Sequence, residues 1–70
     1  MTSEEIKKAM REFAPVIYKG IEYQRINAYI YRIIENKRTG KFKEIFQLEL
    51  QDKRGNSITI ANANDVNLLE

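Results

Sequence analysis

Between Ile26 and Leu50 the chain carries two alternating apolar runs joined by a polar, glycine-bearing tip at residues 35–40. In the first run Ile26, Ala28, Ile30 and Ile34 fall on one side, and Tyr29, Tyr31 and Ile33 on the other. In the second, Phe42, Phe46, Leu48 and Leu50 share a side opposite Lys43, Gln47, Glu49 and Gln51. A period of two over such lengths predicts a long antiparallel hairpin with one buried side.

Before it, residues 3–14 read as a helix. Thr2 is placed to cap and Glu5 to complete a capping box. Ile6, Ala9, Met10 and Phe13 make one apolar stripe, and Pro15 stops the helix. Short strands are predicted at 16–18 and 21–23 around a Lys19-Gly20 turn. A turn at 52–56 rich in Asp, Gly and Asn precedes another strand at 57–61, in which Ile58 and Ile60 share a side. Residues 62–65 read as a helical turn, and a last strand covers 66–69. The expected fold is mainly β with one N-terminal helix, a small five-stranded SH3-like antiparallel barrel over residues 16–69 in a single domain. An OB-like barrel fits less well, because no helix interrupts the strands in mid-chain.

A chain of 70 residues buries only about 60% of its unfolded surface, so stability is thin. With no cysteine and no histidine, disulfides and soft metal sites are excluded and the core must be apolar packing alone. The net charge of +2 tilts only weakly toward polyanions. No apolar run approaches the roughly 18 residues of a membrane span. The polar, acidic N-terminus is unlike a secretory signal, so a soluble cytoplasmic protein is expected.

Catalysis fits the composition poorly. Ser3 and Ser57 have no neighbour that would activate a hydroxyl, and Glu44 and Glu49 lie on opposite sides of one strand. Neither an enzyme nor a cofactor is expected. The densest basic cluster is Lys37, Arg38, Lys41 and Lys43 at the hairpin tip, with Lys53 and Arg54 at the far end of the Lys41–Gln51 strand. Such cations grip phosphates by displacing counterions. The plainer reading is a solvated tip whose charges block edge pairing. Tyr18, Tyr23, Tyr29 and Tyr31 are interleaved with Arg25 and Arg32, which suits base stacking or a peptide groove, or only the strand propensity of tyrosine. The Tyr29, Tyr31 and Ile33 side is either covered by the helix stripe, the favoured reading, or a binding surface. Arg32, on an apolar side, is expected to snorkel to solvent, with Glu44 as a possible partner.

The segment Val16-Ile17-Tyr18-Lys19-Gly20-Ile21-Glu22-Tyr23-Gln24-Arg25-Ile26, with residues 48–57 (LELQDKRGNS), resembles small uncharacterised proteins encoded on conjugative transposons and phages of Gram-positive bacteria such as clostridia. That resemblance implies an accessory protein of a mobile element and brings no catalytic residues with it. The sequence is therefore read as a non-enzymatic binding module, a protein–protein adaptor with Tyr23, Tyr29, Tyr31 and Ile33 in its contact surface. The alternative is weak, sequence-nonspecific nucleic-acid binding through Lys37, Arg38, Lys41, Lys43, Lys53 and Arg54. Oligomerisation through an uncovered strand edge is a third course.

Overall fold

A computed structural model describes residues 1–69. Helix α1 spans Ser3–Arg11, and the capping box at its start is formed. The Glu5 N–H donates to Thr2 Oγ1 at 3.2 Å, and the Thr2 N–H donates to Glu5 Oε1 at 2.9 Å. The helix ends before Ala14, sooner than the stripe predicts. Phe13 takes a left-handed φ of 53°, the Phe13 N–H donates to the Met10 carbonyl, and the Ala14 N–H donates to that of Ala9. This is a Schellman ending with phenylalanine where glycine is usual. Phe13 consequently leaves the stripe and lies 66% exposed, with the Arg25 guanidinium 5.3 Å from its ring centroid.

Six strands follow: β1 (Val16–Tyr18), β2 (Ile21–Tyr23), β3 (Arg25–Asn36), β4 (Lys41–Gln51), β5 (Ile58–Asn62) and β6 (Val66–Leu68). Lys19 and Gly20 both have positive φ, the requirement of the tight turn that joins β1 to β2. The Asp52 carboxylate accepts from the Asn56 and Ser57 N–H groups, closing the turn into β5. Burial alone would raise the Asp52 pKa, but those N–H groups and the Gln51 side chain outweigh it and hold it below the usual value. Before β6, Asn62 Oδ1 accepts from the Asn64 N–H and caps a short 3₁₀ turn.

The strands form two three-stranded antiparallel sheets, ordered β2-β1-β6 and β3-β4-β5. The last strand does pair with the first, Val16 opposite Leu68, as a small barrel requires. The five-stranded closed barrel is nonetheless not formed. Strands β1, β2 and β6 are three residues each and supply too few ladder bonds to wrap the twelve-residue β3. The sheets instead sandwich a core of Val16, Tyr23 and Val66 from the first and Ile26, Leu48, Leu50 and Ala61 from the second. Ile6 and Ala9 of α1 and Ala63 of the 3₁₀ turn complete that core, the helix packing against β3. No helix is long and apolar enough to cross a membrane among the described residues.

One irregularity changes the faces. Ile26 pairs with Leu50, and Ala28 pairs with Glu49, leaving Asn27 as an extra residue in β3. A β-bulge of one residue reverses the alternation beyond it. Ile26 therefore shares its face with Tyr29, Tyr31 and Ile33, and not with Ala28, Ile30 and Ile34 as strict alternation predicts. The bulge is held by side chains: Arg25 Nε donates to Asn27 Oδ1 at 3.1 Å, and Asn27 Nδ2 donates to Gln51 Oε1 at 3.0 Å. In β5 the shared side of Ile58 and Ile60 is the solvent side, while Ala61 points into the core.

These positions set the energetics. Leu48 is fully buried, so Leu48→Ala is expected to cost about 2–5 kcal/mol. That is a large share of the total for a domain this small. Ile33→Ala, at a 57% exposed position, should lie within about 0.5 kcal/mol of wild type. Urea unfolding of the two variants checks the contrast.

Candidate functional site

Strand β5 pairs with β4 only over Gln47–Gln51. From the Tyr31–Phe46 pair to Asn36–Lys41, strands β3 and β4 continue alone as a two-stranded arm. Six residue pairs make an arm about 20 Å long at the usual rise per residue. It gives the molecule its elongated outline of 42 × 26 × 19 Å. Cross-strand partners share a face, so the register assigns every side chain of the arm.

The inner face, continuous with the core side of the sheet, carries Tyr31, Ile33, Glu35, Phe42, Glu44 and Phe46. Tyr31 stacks on Phe46 with ring centroids 5.2 Å apart, and Tyr29 lies 5.9 Å from the same ring. Tyr29 is half-buried against the core, but Tyr31 is 54%, Phe46 44% and Phe42 66% exposed, so docking of the helix does not account for this face. The outer face carries Arg32, Ile34, Asn36, Lys41, Lys43 and Ile45. It runs on toward Ile58 and Ile60 of β5, both exposed. Apolar side chains on both faces of a two-stranded ribbon exceed what its own packing buries, the usual mark of a contact surface.

The charges are sorted by face. The inner face holds the carboxylates Glu35 and Glu44 and no cation; the outer face holds Arg32, Lys41 and Lys43 and no carboxylate. Glu44 therefore lies on the side opposite Arg32 and is not its partner across the hairpin. It acts on Tyr31 instead. Desolvation raises the Tyr31 pKa above its ordinary value, and the charge of Glu44 and a hydrogen bond to it add to the rise.

Of the residues singled out from sequence, Tyr31 and Ile33 stand together on the arm with Tyr29 at its root. Tyr23 does not join them: it is a core residue, 8% exposed, tilted against Tyr18. Lys41 and Lys43 share the outer face, and Lys37 and Arg38 occupy the tip beside them. Lys53 and Arg54 sit in the turn after β4, at the opposite end of that strand, and Lys53 forms an ion pair with Glu22. Phe42, Phe46 and the outer-face Ile34 and Ile45 escaped the sequence reading as site residues. Their signal was the pairing across the tip, which sets Phe46 beside Tyr31 once the turn length is known. Among the described residues no three acidic side chains gather to hold a cation. Comparisons with protein-family models, curated proteins and solved structures return no match for this chain.

The Tyr31 environment is directly measurable. Its raised pKa means the fold favours the neutral phenol, so its contribution to stability is present below the ordinary tyrosine pKa and lost as pH rises through the raised value. Glu44→Gln should lower the Tyr31 pKa without restoring it fully, because desolvation, the largest cause, remains. Ring-carbon NMR across alkaline pH reads this residue separately from the other tyrosines.

Proposed function

We propose that this chain is a non-enzymatic protein-binding module whose contact surface is the β3–β4 arm, with Tyr31, Ile33, Phe42 and Phe46 at its centre. The observation that carries the reading is the row of large apolar side chains standing in solvent beyond the reach of the helix. Such side chains supply most of the energy of protein interfaces, aromatic ones above all. The resemblance of residues 16–26 and 48–57 to small proteins of conjugative transposons and phages supports reading the module as an accessory protein of a mobile element that works in the bacterial cytoplasm. Retention of a specific protein from a Gram-positive host lysate on the immobilised chain tests it. Ile33→Asp and Phe42→Asp should each abolish retention at unchanged melting temperature. Equal retention by both variants defeats the reading.

A second reading has its own observation, the purely cationic outer face beside Lys37 and Arg38. There, Arg32, Lys41 and Lys43 would follow a nucleic-acid backbone, with Lys53 and Arg54 too distant to join the same patch. Binding to single-stranded DNA should then weaken steeply with added salt and vanish in Lys41→Glu/Lys43→Glu. A fluorescence-anisotropy titration at low salt that shows no binding removes it.

A further inference from the structure

We propose that the partner of the arm is a second copy of this chain, docked inner face against outer face, so that subunits associate head to tail. The inference rests on the reading of the arm as a protein contact surface and names its occupant. Both faces offer exposed apolar groups, Ile33, Phe42 and Phe46 on one and Ile34 on the other. The deciding feature is the sorting of charge. The faces of a ribbon are separated by about 10 Å, comparable to the Debye length at physiological salt, so each presents its own field.

Three face-to-face pairings of two arms are open. Inner against inner would bring Glu35 and Glu44 against their own copies. Outer against outer would do the same with Arg32, Lys41 and Lys43. Like charges brought together across an interface are disfavoured. Inner against outer sets two carboxylates against three cations, with isoleucine and aromatic side chains between them. Of the three face-to-face pairings, the charges are complementary in that one alone. The contact is heterologous, and every added subunit leaves one face free at each end, which yields a ring or a filament. Two ribbon faces of this length fall short of the about 800 Å² per partner of a standard interface, so the association depends on concentration.

Sedimentation velocity of the full chain, run with and without nuclease treatment over a concentration series at low and high salt, tests the proposal. The mass should rise above the monomer with concentration and fall back with salt. Lys41→Glu/Lys43→Glu and Glu35→Lys/Glu44→Lys should each sediment as monomers. An equimolar mixture of the two variants should associate, and so should the chain carrying all four changes. All four positions are exposed, and matching circular dichroism spectra establish that the variants fold. A monomeric wild type at every concentration overturns the proposal, as does association that persists in both charge-reversed variants. Association that disappears with nuclease also overturns it and assigns the outer face to nucleic acid. If the wild type is monomeric but Ile33→Asp still loses a host protein, the arm stands as a contact surface and only the second copy is lost.

Discussion

The register between β3 and β4, displaced once at Asn27, determines what this molecule can bury and what it must leave in solvent. Below the bulge Ile26 meets Leu50 in the core; above it, the next core-side pair is Tyr29 with Leu48. Without the extra residue, Ile26 and Tyr29 would point to opposite sides of the sheet. Either the core would lose Ile26, worth about 1.5–3 kcal/mol of burial, or the tyrosine side of the arm would turn outward. The Arg25, Asn27 and Gln51 side chains that bond around the bulge thus act on packing far larger than themselves.

A second constraint is the mismatch of lengths. Strands of three residues and a helix of nine build a core big enough to hold only the root of a hairpin whose strands run to twelve and eleven. An isolated two-stranded hairpin is marginal in water, so the arm needs cross-strand contacts of its own. The Tyr29, Tyr31 and Phe46 rings supply them, each aromatic pair adding about 0.5–1.5 kcal/mol beyond its buried area. Stability and exposure are thereby assigned to the same side chains: the rings that hold the arm together are also the ones it presents.

What could be read from the residues divides along a physical line. Local chemistry was legible: the Thr2–Glu5 capping box, the Lys19-Gly20 turn, the Asp52 turn and the Asn62 cap each depend on neighbours a few residues apart. So was the pairing of two long strands, because their alternation is strong. Closure and facing were not. Whether six short and long strands join into one barrel depends on ladder bonds between distant segments, which periodicity does not encode. The bulge carries no glycine to announce it, and beyond it the alternation resumes with reversed sense. Tyr23 looked like a surface tyrosine because it is interleaved with Arg25 among the other tyrosines. Its burial comes from the core that the two sheets and the helix share. Phe13 looked like a helix-stripe residue because nothing in the sequence marks a phenylalanine at a left-handed position.

The charge pattern of the arm is poorly suited to stabilising the arm itself. Opposite charges placed directly across an antiparallel pair contribute roughly 0.2–1 kcal/mol, and six pairs give ample opportunity for them. None is used. Arg32 lies opposite Ile45, Ile33 opposite Glu44, Ile34 opposite Lys43 and Glu35 opposite Phe42. The like charges Glu35 and Glu44 stand diagonally on one face, and Arg32 and Lys43 diagonally on the other, where each pair repels weakly. A sequence shaped only for a rigid, inert hairpin would mix signs on each face. Segregation sacrifices intrachain attraction and creates two surfaces of opposite sign, an arrangement whose benefit appears only when something else is brought against them.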